Sequence, residues 1–235
     1  MSTYVLVHGA WHGSWCWKRV RKALQAAGHE VFTPTLTGVG ERSHLNSASV
    51  NLSTHIADVA NLIRWEELSD VILCGHSYGG CVISGAADRV PDRIRALVYL
   101  DAFVLEDGEA LIDFLPSAQV QGMRQRAQDT GDGWKVDPIP AEAFRVNSQD
   151  SAWVNRQCTP QAIAAFEERI KFTGGFERIK DVTHILATGY TEGSPFQACH
   201  DRAKKMGWKT RTMPCGHDVM LDLPKELIAF LLEYA

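Results

Sequence analysis

The 235-residue chain has no run of roughly 18 consecutive apolar residues, the length a helix needs to cross a bilayer, so a membrane span is not expected. It has no basic block either: 24 Lys and Arg stand against 28 Asp and Glu, a net charge of −4. That mild acidity gives no electrostatic footprint for nucleic acid or an anionic membrane. The opening stretch, MSTYVLVHGAWHG, lacks a basic segment followed by a long apolar one. No export signal is therefore expected, and the expected compartment is the cytoplasm. The six cysteines form no CxxC pair, which argues against a structural zinc site. Free thiols in a reducing compartment are expected instead of disulfides. Internal repeats and low-complexity tracts are missing too.

What is present is an alternation of strand and helix patterns. Apolar, β-branched runs predict strands at TYVLVH (3–8), EVFTPTL, DVILCGH (70–76), IRALVYLDAF, DVTHILAT and WKTRTMPC. Helical spacing predicts helices in WCWKRVRKALQAAGH, LSTHIADVANLIRWEEL, YGGCVISGAADRV and PKELIAFLLEY. Ser53 or Thr54 would cap the second of these, and Pro224 suits the first turn of the last. Such alternation implies an α/β fold, a mostly parallel sheet with helices on both faces, in one domain spanning 1–235. Between about 104 and 180 the alternation breaks. That stretch is helical in tendency, punctuated by Gly, Pro and Asp, and reads as an insertion at one edge of the sheet.

GHSYG (75–79) fits G-x-S-x-G between a predicted strand and a predicted helix, the setting of a nucleophile elbow. Glycines on both sides of Ser77 permit a sharp turn that lifts its hydroxyl from the sheet. The following helix N-terminus points free N–H groups at the same spot. A serine hydroxyl hardly ionises at neutral pH, so it needs a base. Of nine histidines, His217 in PCGHDVM stands out, on a loop between the last strand and the last helix. Loops at one end of a parallel sheet converge there. His76 adjoins Ser77 and is not placed to serve it. An oxyanion needs two N–H donors. The expected pair is the backbone N–H of Tyr78 and that of Ala10, in the loop HGAWHG (8–13).

VLVHGAWHGSWCW, VILCGHSYGG and GHDVM together resemble α/β hydrolases of the plant methylesterase and hydroxynitrile lyase group and their bacterial esterase relatives. The resemblance runs from end to end and places the 104–180 insertion where that group carries its cap. It implies an α/β-hydrolase fold, ester hydrolysis by a serine acyl-enzyme route without cofactor or metal, and a small apolar pocket under the cap. Lyases of the group carry a threonine in the first loop and a lysine after the catalytic histidine. Here those places hold Gly9 and Asp218, and a carboxylate has the wrong sign to steady a departing cyanide. A hydrolase is therefore expected ahead of a lyase, and ahead of a non-catalytic small-ligand receptor on the same scaffold.

The catalytic acid is the open position. The plant enzymes place an aspartate in the turn after the penultimate strand; aligned through Thr188, this chain has Tyr190. A phenol is neutral at pH 7 and would hardly stabilise an imidazolium. Asp101, closing the apolar run ALVYLDA, is the expected acid, because a carboxylate there needs a partner to offset desolvation. Glu192, two residues after Tyr190, is the alternative. Asp218 is expected to point away from the His217 ring. Aromatics near the nucleophile predict a pocket for small apolar or aromatic esters, with Trp11, Phe103 and Trp153 as candidate contacts. The expected partner is a small-molecule ester, with a homodimer through the cap or the last helix as a further expectation.

Overall fold

The apolar runs form strands β1 (Thr3–Val7), β2 (Glu30–Phe32), β3 (Val71–His76), β4 (Ile94–Leu100), β7 (Asp181–Ala187) and β8 (Lys209–Met213). A short antiparallel pair, β5 (Lys135–Val136) and β6 (Gln161–Ala162), lies between β4 and β7. A computed structural model of the chain describes residues 1–190 and 194–235. The six longer-range strands pair in the order β2-β1-β3-β4-β7-β8, all parallel. The main helices are α1 (Lys18–Ala26), α2 (Leu52–Trp65), α3 (Gly79–Arg89), α4 (Ser117–Thr130), α5 (Ser151–Gln157), α6 (Ala164–Glu167), α7 (Phe196–Lys205), α8 (Val219–Asp222) and α9 (Pro224–Leu231). None of the described helices is long and apolar enough to cross a membrane.

Strand alternation sorts the core into two layers. Val5, Val7, Leu73, Leu97 and Tyr99 face α2 and α3 on one side of the sheet. Tyr4, Leu6, Ile72, Cys74 and Val98 face α1 and α9 on the other. Burial on both faces explains why these strands read as unbroken apolar runs. All six cysteines are free thiols.

Three local expectations are corrected. The second strand stops at Phe32 and does not continue through EVFTPTL. It is an edge strand paired only with β1, and Pro34 has no N–H to extend the ladder. The N-cap of helix α2 is Asn51, with Thr54 closing a capping box: the Thr54 N–H donates to Asn51 Oδ1 at 3.0 Å, and the Asn51 N–H donates to Thr54 Oγ1 at 3.5 Å. The Ser53 hydroxyl is used elsewhere, donating to Glu168 Oε1 at 2.6 Å. The stretch between β4 and β7 is not purely helical, since it also carries the β5–β6 pair.

Parallel strands bring their C-terminal ends to one edge. That edge carries the loop after β1, the elbow after β3, Asp101 after β4, Tyr190 after β7 and His217 after β8. Part of the stretch between β4 and β7 lies over it, as the cavity lining below makes plain.

Candidate active site

Ser77 sits between β3 and α3 with φ 55°, in the left-handed region. Its backbone is held from both sides: its N–H donates to the Leu100 carbonyl at 3.2 Å, and its carbonyl accepts from the Gly80 and Phe103 N–H groups. The turn is tight enough that a Cβ at position 75 would lie 2.5 Å from the Gly79 carbonyl oxygen, so only glycine fits. The Ser77 hydroxyl has no hydrogen-bond partner among the described residues, and Ser77 lines a cavity at the sheet edge.

His217 is buried in a recess shared with Ser77, Gly9, Ala10 and His12. Its Nδ1–H donates to Asp101 Oδ2 at 2.6 Å. Asp101 is fully buried, and its other carboxyl oxygen accepts the Ala187 N–H at 2.9 Å. The Asp101 backbone has φ 43°, and its N–H donates to the Ile185 carbonyl. Asp101 is thus aimed at His217 from a strand end that lies between the elbow strand and β7. Burial pushes the Asp101 carboxyl up, opposed by the Ala187 N–H. Burial also lowers the His217 imidazole to about 4, partly offset by the Asp218 charge. The ring is therefore a neutral base at pH 7, with its proton on Nδ1 and Nε2 left for the cleft.

The sign of that shift sets a pH profile. An imidazole that serves as a general base must be neutral to accept a proton, so activity resting on His217 would be present above its pKa and lost as pH falls through it. The kcat/KM of a neutral ester is expected to be flat from pH 6 to 8 and to fall only near pH 4. Stopped-flow pH jumps, short enough to precede acid unfolding, would measure it; an acid limb at 6.5 or above would contradict the burial argument.

Neither the Ala10 N–H nor the Tyr78 N–H donates to another group among the described residues. The Tyr78 side chain is anchored away from the elbow, its hydroxyl donating to His55 Nδ1 at 2.7 Å while His55 Nε2–H donates to the Thr37 carbonyl. His76 Nε2–H donates to the His217 carbonyl at 3.0 Å, and the two rings lie 4.4 Å apart. It braces the loop that carries His217 and makes no hydrogen bond to Ser77.

Asp218 does point away from the His217 ring. It is fully buried and reaches His12, with Oδ2 3.1 Å from His12 Nε2. Burial would raise its carboxyl, yet His12, His76 and His217 hold it far below the usual carboxylate range. The sequence offered only one clue to this pair, an aspartate beside the base with no role assigned.

The cavity beside Ser77 measures about 360 Å³. Trp11, Tyr78 and Phe103 line it from the sheet loops; Phe114, Phe144 and Phe166 line it from the stretch between β4 and β7. Tyr190 and Phe196 close the side near His217, with Phe196 stacked on the imidazole at 4.7 Å. Trp153 is not in the lining. It packs edge-on against Trp15 at 5.0 Å, because α5 turns that face toward the start of α1. Among the described residues no Lys, Arg, Asp or Glu lines the cavity. No group of three metal-ligating side chains occurs among them either. The alternative acid Glu192 lies outside the described residues.

Comparison with known proteins gives the same outline. The model of the "Alpha/beta hydrolase family" matches residues 4–230. A "Carbendazim hydrolyzing esterase" of Nocardioides sp. (strain SG-4G) is 50% identical over 238 residues, covering 97% of each chain. "Methyl jasmonate esterase 1" of Vitis vinifera is 36% identical over 129 residues, covering 53% of this chain and 46% of its own. Among solved structures, an extracellular α/β-hydrolase from a Paenibacillus species superposes with TM-score 0.86 at 23% identity, covering 100% and 99% of the two chains.

Proposed function

The chain belongs to the alpha/beta hydrolase family and is an esterase, and from that premise we propose that it cleaves small, uncharged, apolar or aromatic esters through an acyl-enzyme on Ser77. One observation carries the reading: His217 Nδ1 lies 2.6 Å from a buried Asp101 carboxyl while Ser77 shares its recess from a left-handed elbow. His217 Nε2 accepts the Ser77 proton as Oγ attacks the ester carbonyl. The Ala10 and Tyr78 N–H groups receive the oxyanion. His217 then protonates the departing alcohol, and water releases the acid by the same steps in reverse order. Asp101 fixes the Nδ1–H tautomer and steadies the transient imidazolium.

The cavity supports the substrate class. Its lining is mainly aromatic and aliphatic, with Gln119, Tyr190 and Ser194 as polar residues beside Ser77 and Tyr78. A carboxylate buried there would lose hydration with no cation to replace it. The Nocardioides relative is described by its hydrolysis of carbendazim, and an aromatic ester of that size is a reasonable first substrate for this cavity. The lyase alternative is disfavoured by sterics as well as charge. A Cβ at position 9, where those lyases carry threonine, would lie 2.8 Å from the Ser77 Cβ. Asp218, where they carry lysine, is tied to His12.

A fluorophosphonate is expected to label the wild type once, on the tryptic peptide holding Ser77. In parallel, kcat/KM for a neutral aryl ester is expected to exceed that of its carboxylate-bearing analogue by at least about tenfold. An unlabelled serine would sink the nucleophile; equal turnover of the two esters would sink the substrate class.

A further inference from the structure

The base and the first oxyanion donor stand on loops that the sheet does not join. Ala10 follows β1 and His217 follows β8, with three strands between them. Four strand spacings amount to roughly 19 Å, so the two loops meet only by arching over the sheet edge. At the meeting point lies the buried pair of His12 and Asp218, 2% and 0% exposed. The hydrogen bonds place one proton of the pair, and the electrostatics of the cluster favour the second. His12 Nδ1 is 2.7 Å from the Ala10 carbonyl oxygen, which can only accept, so Nδ1 carries a proton. His12 Nε2 faces Asp218 Oδ2 at 3.1 Å, and Asp218 Oδ1 is 3.8 Å from His76 Nε2. The histidines around Asp218 lower its carboxyl against burial, and Asp218 in turn raises the His12 imidazole against burial, so this contact is best read as an Nε2–H donating to a carboxylate.

We propose that the buried His12–Asp218 ion pair is a strut between the two loops, making both residues positioning residues that hold the Ala10 N–H at the oxyanion. This rests on the reading that Ser77 is acylated. One imidazolium grips the residue that supplies the donor, through the Ala10 carbonyl. The carboxylate it binds belongs to the residue directly after the base. The distance from donor to base is thereby set by two charge-assisted bonds. From the other side, the Trp11 N–H donates to Gln161 Oε1 at 2.9 Å and its indole N–H to the Val136 carbonyl at 3.0 Å, so the turn between Ala10 and His12 is fixed at both ends. Toward His217 the two members of the pair act in opposite directions: Asp218 raises the base and His12 lowers it.

Asp218→Asn keeps the size of the side chain and removes the anion. Its kcat and kcat/KM for p-nitrophenyl acetate are expected to fall together by about 10- to 100-fold, because a misplaced oxyanion donor is missed only in the transition state. The conservative variant His12→Gln, which can still donate to the Ala10 carbonyl, is expected to retain more activity than His12→Leu. ¹⁵N spectra of histidine-labelled wild type at pH 7 are expected to show both His12 ring nitrogens protonated. An unprotonated His12 nitrogen, wild-type kcat in Asp218→Asn, or failure of all three variants to fold would each overturn the strut in favour of a plain packing role. Fluorophosphonate labelling of the wild type runs beside these assays. Loss of labelling there would strike the acyl-enzyme reading itself, whereas normal labelling with unchanged variant kinetics would strike the strut alone.

Discussion

Ser77→Ala is expected to lower kcat/KM for p-nitrophenyl acetate by about 10⁵- to 10⁶-fold while leaving the fold intact. The rate collapses because no other group can form the acyl intermediate. What remains is the water reaction assisted by the Ala10 and Tyr78 N–H groups and by substrate binding. The fold is untouched for a structural reason. The Ser77 hydroxyl makes no hydrogen bond among the described residues, and the elbow is held by its backbone bonds to Leu100, Gly80 and Phe103. Truncating it orphans no partner, so urea denaturation should place the variant within about 0.5 kcal/mol of wild type. Retained turnover in a folded Ser77→Ala protein would remove Ser77 from the mechanism.

The second large effect belongs to Asp101→Asn, with an expected loss of about 10³- to 10⁴-fold at pH 7. Here the structure dictates how the amide must sit. The Ala187 N–H donates to one carboxyl oxygen of Asp101. An asparagine must offer its single oxygen to that N–H, so its NH₂ faces His217 Nδ1. Two donors cannot share a hydrogen bond, and the imidazole proton moves to Nε2. That nitrogen then cannot accept the Ser77 proton. The loss should ease at high pH, where a serine alkoxide forms without the base. Side-by-side kinetics of the wild type, Asp101→Asn and Glu192→Gln decide the acid. A nearly intact Asp101→Asn enzyme with a crippled Glu192→Gln enzyme would transfer the role to the turn after β7.

The elbow at Ser77 was the most legible part of the sequence, because glycine, serine and strand-to-helix context all carry the same local demand. Asp101 was legible for a different reason: a carboxylate ending an apolar run must have a partner. The strut was not legible. Its halves lie 206 positions apart, and only the arching of two loops brings them together. The pocket was half legible. Trp11 and Phe103 line it beside residues they adjoin in the chain, but Phe196 and Tyr190 arrive from beyond β7 and had no local signal. Trp153 misled because aromatic character says nothing about which way a short helix faces. The cap of α2 misled because Ser53 has a distant competitor in Glu168.

Trp11, Ser77 and Asp101 all have left-handed backbones, at φ 62°, 55° and 43°. Each such residue with a side chain costs about 1–2 kcal/mol relative to an ordinary conformation. Three of them at the sheet edge amount to a sizeable part of the margin by which a domain of this kind stays folded. At Ser77, whose hydroxyl bonds nothing among the described residues, thermal robustness and turnover are therefore rivals. A population screened only for survival of heating would drift toward glycine there, and would end as a sturdier, inert version of the same architecture.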